Sequence, residues 1–486
     1  MEEILDQKKI RIEKLEKLKG LGLNPYPYKF VRTHIIKEIR EKEEEMVGAN
    51  SVAIAGRIMA KRGHGKTVFA DIKDESGKLQ IYFRKDTLDK KLFEIVDLID
   101  IGDFIGAQGE IFKTGTGELT LLVKGFEFLS KSVFPLPEKW HGLKDKEIRY
   151  RKRYLDLIMN KDVREMVVMR AKIIKKMREI LDSKGFIEVE TPTLQPLYGG
   201  AFAQPFKTYY NALERDYFLR ISDELYLKRL IIGGIEKVYE ICKDFRNEGI
   251  DKTHIPEFTM LEAYEAYADY ADMMDLTEEI VTGITKALFG SLKFNFQGNE
   301  IDVSRPWKRL GFYEGIESLT GENLSEVTRG KAYTFARDHG IDIDENAGKG
   351  KILDEIFDEM VQPKLIQPTF VIDYPLEISP LAKKHRKNPE LVERFEPVIA
   401  GIEIGNAFSE LNDPFDQRER FEQQKSMKEM GEGEIQELDE DFLKAMEYGM
   451  PPTGGLGIGV DRLVMLLTDI PSIREVIVFP QLKSKE

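Results

Sequence analysis

Between residues 51 and 130 apolar and polar residues alternate in short runs. These are "SVAIAGRIMA", "TVFADI" and "KLQIYF", then a helical "LDKKLFEIVDLI", then "FIGAQGEIF" and "ELTLLVKGFEFL". Period-two alternation marks strands with one buried face, and three strands, a helix and two strands is the order of a small five-stranded OB-type barrel. The open face of such a barrel commonly binds single-stranded nucleic acid. An unrelated small β domain is the competing reading. Ahead of it, Ile10, Leu15, Leu18 and Leu21 recur among charges, and the pattern breaks at "GLGLNPYPYKF". This predicts an exposed, basic helix over residues 7 to about 20 with a Gly/Pro stop.

The stretch "KSVFPLPEKWHGLKDKEIRYRKRYLDL" has prolines, charges and little periodicity, which predicts a linker. The expected division is a basic helical extension at 1–50, the OB-fold domain at 51–140, a linker at 141–160 and a second domain at 161–486. In that domain Met166, Val167, Met169, Ile173, Ile174, Met177, Ile180 and Leu181 follow helical spacing up to Gly185, and "FIEVETPTL" predicts a strand ending at Pro192. The remainder alternates strands and helices without a regular parallel βαβ repeat or a GxGxxG loop. The fold class expected is therefore α+β, with a mostly antiparallel sheet flanked by helices after the barrel.

Composition adds exclusions. At 486 residues two or more cores are needed, and 42% hydrophobic with 33% charged residues is a soluble composition. No apolar run approaches membrane-spanning length and the start "MEEILDQKKIRIEKLEKL" is too charged for a signal peptide, which predicts a cytoplasmic protein without membrane contact. The single Cys242 excludes an internal disulfide framework or a Cys-rich zinc site, and the six histidines lack HExxH or comparable spacing. Cys242 reads as a core residue. The net charge of -13 disfavours a polyanionic partner, yet residues 1 to 40 carry ten Lys+Arg against six Asp+Glu while "GEGEIQELDEDF" is acidic. A locally basic amino-terminal region can still meet nucleic acid.

Candidate chemistry concentrates in "CKDFRNEGIDKTHIPEFTMLE", residues 242 to 262. "KVYEICKDFR" and "EFTMLEAYEAY" each fit a strand, joined by a long Gly/Pro-containing loop. Alternation puts Phe258, Met260, Glu262 and Tyr264 on one face. An aromatic ring beside a guanidinium and carboxylates suits a nucleotide, the ring stacking on the base and Arg246 meeting phosphate charge. A structural ion pair is the plainer alternative. "GGLGIGVDRLVMLL", residues 454 to 467, reads as a glycine-rich strand entering a helix with Arg462 near its start.

These two segments resemble the second and third signature motifs of class II aminoacyl-tRNA synthetases, and the long helix with "FIEVETPTL" resembles the first, dimer-forming one. "GGA", "RISDELYLKRLIIGG", "FRNEG", "HIPEFTMLEAYEAYADY", "LIQPTFVIDYPLEISPLAK", "EIGNAFSELND" and "GLGIGVDRLVML" narrow the resemblance to the lysyl-tRNA synthetase family, in family order over nearly the full chain. The resemblance implies a lysine–tRNA ligase that makes lysyl-adenylate from L-lysine and ATP, then charges tRNA(Lys), with Mg2+ as cofactor and a homodimer as assembly.

It also implies site residues. Arg246, Glu248, His254, Phe258 and Arg462 would bind ATP, with Arg246 and Arg462 catalytic. Glu224 and Glu410 would meet the substrate ammonium, with Gly200, Glu262, Tyr264, Asn406 and Phe408 around it. Glu396 and Glu403 match the metal-binding carboxylates, and Arg62, Phe69, Gln80 and Glu118 the anticodon-reading positions of the barrel. The residues supply an independent check: if "FEPVIAGIEIGN" turns at Ala400 and Gly401, Val398 lies opposite Glu403 and both glutamates share a face. Strict alternation then puts Asn406 and Glu410 on the other face, so a bulge or bend near Gly405 is required.

Four positions depart from the family pattern: Gln204, Tyr210, Asp223 and Ile255. Two alternatives compete with the ligase, a paralogue that lysylates protein and a catalytically silent RNA-binding protein. The barrel weighs against the first, and the charge set Arg246, Glu396, Glu403 and Arg462 against the second.

Overall fold

The computed structural model describes residues 2–63, 65–137, 143–201, 203–429 and 438–483. It comprises two compact units, Met1–Lys144 and Asp145–Glu486. The acidic stretch beginning at Gly431 falls largely outside the described residues, as do residues 141 and 142 of the expected linker.

In the first unit, helix α1 (Glu2–Gly20) precedes strands β1 (Val52–Arg62), β2 (Thr67–Lys73) and β3 (Lys78–Arg84), helix α2 (Lys90–Ile95), and strands β4 (Phe104–Lys113) and β5 (Leu119–Ser130). The strands close into a barrel in the order β1-β2-β3-β5-β4. Alternation does the sorting. Val68, Ala70, Ile72, Leu79, Ile81, Phe83, Leu121 and Val123 point inward to one core, which leaves the intervening positions of β2, β3 and β5 on the outside. Helix α1 begins earlier than the periodicity predicts and is mostly exposed, but Leu18, Ile36, Ile39 and Met46 belong to the barrel core. The extension is therefore packed onto the barrel through these residues.

In the second unit the expected linker is helical over Lys146–Arg151 and Arg153–Met159. The reason lies in buried charge, which hydrophobic periodicity does not detect. Arg153 Nη1 pairs with Asp156 Oδ2 at 2.7 Å, Arg149 Nε meets Asp156 Oδ1 at 2.9 Å, and Arg153 Nε donates to the Val478 carbonyl at 2.9 Å. Helix α3 (Lys161–Ser183) follows, burying Met166, Ile173, Met177, Ile180 and Leu181. The strand expected to reach Pro192 is only β6 (Ile187–Glu188). Beyond it the chain is tied by side chains, Thr191 donating from N and Oγ1 to Glu240 Oε2 at 3.0 and 2.7 Å.

Among the described residues the main sheet has nine strands. After α4 (Glu224–Ile232) come β7 (Lys237–Phe245), β8 (Glu257–Ala266), helix α5 (Tyr270–Phe289), β9 (Lys308–Gly311), β10 (Thr369–Ile372), β11 (Arg394–Ile399), β12 (Ile402–Glu403), β13 (Gly405–Ser409), β14 (Thr453–Gly459) and α6 (Val460–Leu467). The order is β9-β10-β11-β13-β14-β8-β7-β6, with β12 paired to β11. Only the outermost pairs are parallel, β9 with β10 and β7 with β6. Leu261, Ala263, Leu456 and Ile458 face a core shared with α3, α5 and α6. The other face is free to build a site. Among the described residues no helix is long and apolar enough to cross a membrane.

Candidate active site

Strands β7 and β8 form an antiparallel pair in which Asp244 lies opposite Phe258 and Glu240 opposite Glu262. Arg246 follows the end of β7, and its guanidinium carbon lies 5.1 Å from the centre of the Phe258 ring. Its buried Nε has no hydrogen-bond partner among the described residues, which leaves a donor for a ligand to meet. The loop between the strands is exposed over residues 247–249 and at Asp251, Lys252 and His254, while Ile255 is buried. Within it His254 Nδ1 meets Asp251 Oδ2 at 2.8 Å and Nε2 lies 3.0 Å from Arg462 Nη2.

The β11–β12 turn has Ala400 at φ 53° and Gly401 at φ 74°, the paired positive angles of a two-residue hairpin turn. Val398 pairs with Glu403, as the sequence predicts. Farther along, Arg394 pairs with Phe408 and Phe395 with Ala407, so the register has slipped by one residue. The slip is a bulge at Ile404, whose N–H donates to the Pro397 carbonyl at 2.9 Å. One extra residue reverses the facing of everything after it. Glu396, Glu403, Asn406, Phe408 and Glu410 consequently line the same cavity.

Strand β14 supplies the floor. Gly457 lies between Glu262 and Asn406, and Gly455 between Tyr264 and Phe408. A Cβ on Gly455 would fall 1.9 Å from Glu410 Oε1, and one on Gly457 would fall 2.6 Å from Glu262 Oε1. The glycines are thus the space the carboxylates occupy. Arg462, at the start of α6, donates from Nη1 to Glu403 Oε2 at 2.8 Å. Next to it Asp461 is buried, accepting from Arg170 Nη1 of α3 at 2.5 Å and from the Thr259 backbone N–H at 2.6 Å.

All fourteen candidate residues of the second unit line this one cavity of about 480 Å³: the five proposed for ATP, the seven for lysine and the two for metal. Gly200, at φ +89°, lies against Ser222 and Glu224. Glu224 opens α4 and is buried, and its Oε1 accepts from Lys228 Nζ at 2.5 Å. Lys228 also pairs with Glu410 Oε2. Burial pushes the Glu410 carboxyl up to about 8 with Lys228 opposing, and burial pushes Glu262 well above the usual carboxylate range. Glu396 is pushed up to about 7 by burial, with Arg394 opposing and the charge of Glu403 adding to the rise. Glu396 and Glu403 offer hard oxygen donors of the kind that suit Mg2+, and each is also paired with an arginine, Glu396 with Arg394 and Glu403 with Arg462, while Tyr374 Oη donates to Glu396 Oε2 at 2.7 Å.

Sequence reasoning did not single out Lys228, Asp461, Arg170 or Arg394, whose Nε donates to Asn406 Oδ1 at 2.9 Å. For Lys228 the available signal was its spacing four residues after Glu224 in "ELYLK". Of the four departures, Gln204 and Tyr210 are exposed and Ile255 is in the main core. Asp223 is fully buried, accepts from Cys242 Sγ at 3.6 Å and leaves Oδ1 without a partner. Burial, then the charges of Asp244 and Glu240, raise its carboxyl well above the ordinary range.

On the outer face of the barrel Phe69 stacks on Tyr82, centroids 4.3 Å apart, with Phe112 6.2 Å beyond. Arg62 Nη2 donates to Gln80 Oε1 at 2.6 Å, and Gln80 Nε2 to Thr120 Oγ1 at 3.0 Å. Glu118 pairs with Arg40 at 3.3 Å. An aromatic row beside polar groups is a surface on which bases can stack. Tyr82 and Phe112 were not singled out from sequence.

A family model described as tRNA synthetases class II (D, K and N) matches residues 145–483, and one described as OB-fold nucleic acid binding domain matches residues 52–129. The lysine–tRNA ligase of Carboxydothermus hydrogenoformans is 54% identical over 486 residues, 100% of this chain and 99% of the relative. That of Syntrophomonas wolfei is 50% identical over 99% of this chain and 98% of its own, and that of Staphylococcus epidermidis 51% over 100% of both.

Proposed function

The chain belongs to the class II tRNA synthetases (D, K and N), among the lysine–tRNA ligases, and on that premise we propose that it joins L-lysine to tRNA(Lys) by way of lysyl-adenylate. The observation that carries the substrate assignment is the occurrence, in one cavity, of the buried acids Glu224 and Glu410 with the Arg246–Phe258 couple. Buried acids suit an ammonium, and would repel the carboxylate of an aspartate side chain.

In the first step a carboxylate oxygen of lysine attacks the α-phosphorus of ATP and pyrophosphate leaves. Such a displacement needs alignment and charge stabilisation, with no obligatory protein base. Phe258 stacks on adenine, Arg246 meets the charge at the α-phosphate, and Arg462 holds the far end of the triphosphate. Glu248 and His254 belong to the loop over the nucleotide. Glu262, Tyr264, Asn406, Phe408 and Gly200 shape the amino-acid pocket. Glu396 and Glu403 would hold Mg2+, which when bound supplies positive charge to the phosphate oxygens.

In the second step the 3′ end of tRNA takes lysine from the adenylate and AMP leaves. Barrel residues Arg62, Phe69, Gln80 and Glu118 read the anticodon, with Phe69 as stacking platform. A homodimer is supported by exposed apolar side chains on and after α3, including Val168, Ile187, Leu194 and Tyr209. The protein is assigned to the cytoplasm, where its tRNA is. Aminoacylation of tRNA(Lys) with labelled lysine, beside tRNA(Asp) and tRNA(Asn), tests the whole reading. Charging of tRNA(Lys) alone is the expected result, and charging of either other tRNA overturns it.

A further inference from the structure

The amino-acid pocket already contains a lysine of the protein's own. Lys228 is wholly buried on α4, one turn after Glu224. Its ammonium lies 2.5 Å from Glu224 Oε1 and in contact with Glu410 Oε2. Burial works against its charge, but the two carboxylates outweigh burial and raise it. A buried cation between two acids that also line the ligand cavity has a consequence beyond stability, because it decides how much charge is left for the ligand.

We infer that Lys228 is a specificity-determining residue of the amino-acid pocket, balancing one of its two carboxylates so that the site complements a ligand side chain carrying one positive charge. The inference rests on the reading of this cavity as a lysine pocket. With both acids ionised, Glu224, Glu410 and Lys228 together carry one net negative charge, equal and opposite to one ε-ammonium. Without Lys228 the same space would hold two like charges, of which one must take up a proton.

Geometry assigns the acceptors as well. Lys228 hydrogen-bonds to Glu224 Oε1 and is in ion-pair contact with Glu410 Oε2, and among the described residues neither Glu410 oxygen has a hydrogen-bond partner. Glu410 Oε1 is buried without a partner and fills the space above Gly455, beside Tyr264. An incoming ammonium would complete it. The other titratable groups around the pair are Glu262 and Tyr264 on β8 and Asp223 ahead of α4, all raised by burial. None of them is cationic; Arg220 acts on Asp223 and pairs with Glu240, Arg246 and Arg394 line the cavity elsewhere, and among the described residues Lys228 is the cation in ion-pair contact with both Glu224 and Glu410.

The test is ATP–pyrophosphate exchange by the full-length wild type, Lys228→Met and Lys228→Arg, with lysine and ATP KM measured from pH 6 to 9 and melting temperature alongside. Lys228→Met is expected to raise lysine KM at pH 7.5 by about tenfold or more and to move its pH profile upward by about one unit, since the acids lose their counter-charge. ATP KM should stay within about twofold, a change of about 0.4 kcal/mol. Lys228→Arg keeps the charge and should keep the wild-type profile midpoint while lysine KM rises. If Lys228→Met does not fold, Lys228→Arg decides: a midpoint displaced from that of the wild type overturns the charge-balancing role. An unchanged profile in Lys228→Met, or equal losses for lysine and ATP, also overturns it. Absence of lysine-dependent exchange by the wild type would instead overturn the lysine-pocket reading itself.

Discussion

Gly455 and Glu410 share one volume: the Cβ that Gly455 lacks would stand 1.9 Å from Glu410 Oε1. A Cβ there would also lie 2.6 Å from a Tyr264 ring carbon, so the carboxylate is the group that has to move. Gly455→Ala is expected to displace the Glu410 carboxylate and to raise lysine KM about tenfold or more, corresponding to about 1–3 kcal/mol of overpacking. Gly330→Ala is the control, since a Cβ there meets nothing within 4 Å. Steady-state exchange kinetics of both variants make the comparison, and equal lysine KM values would refute it.

Removing one acid tests the pocket from the other direction. Glu410→Gln or Glu224→Gln leaves Lys228 with one ionic partner and deprives the substrate ammonium of its own. Truncating one member of a buried, hydrogen-bonded charge pair costs about 2–5 kcal/mol, so lysine KM should rise about thirtyfold or more. ATP KM should remain within about twofold, a factor worth about 0.4 kcal/mol. Equal weakening of both substrates would undo the pocket assignment.

Lysine affinity should depend on pH in a stated direction. In the empty cavity burial raises Glu410 to about 8. A bound ammonium favours the ionised carboxylate, so binding releases a proton and strengthens as pH rises. Lysine KM is expected to fall by up to about tenfold per pH unit between about 6 and 7.5 and to level off above about 8. Calorimetry of lysine binding in buffers of different ionisation enthalpy counts the released proton directly. A flat profile would place the ionised acid in the empty site.

Asp461 joins three parts of the molecule, accepting from Arg170 on α3 and from Thr259 beside Phe258, and preceding Arg462. Asp461→Ala leaves the Arg170 guanidinium without its ion-pair partner, at a cost of about 3–5 kcal/mol. The expected result is a lower melting temperature together with a larger rise in ATP KM than in lysine KM. Loss of stability with ATP KM unaltered would show that the contact holds the fold without shaping the nucleotide side.

The sequence made legible what short-range rules determine. Paired strands, the Ala400–Gly401 turn and the Val398–Glu403 register follow from turn chemistry and period-two alternation. The slip at Ile404 was required by the clash between alternation and the positions of Asn406 and Glu410. What escaped was buried charge. Lys228 on an amphipathic helix looks like a solvated side chain, and its partner Glu410 is 182 positions away in sequence. Arg170 and Asp461 are 291 positions apart. For the same reason "RYRKRYLDL" suggested a linker, although Arg153 and Asp156 make a buried ion pair there. Periodicity records apolar faces and is blind to polar groups whose partners arrive through tertiary structure.

The most direct measurement is ATP–pyrophosphate exchange by the purified chain with Mg2+ and without tRNA, run against each standard amino acid in turn. Exchange with lysine alone is predicted, because adenylate formation and the acidic pocket are then tested together. Exchange with aspartate or asparagine, or none with lysine, would contradict the account.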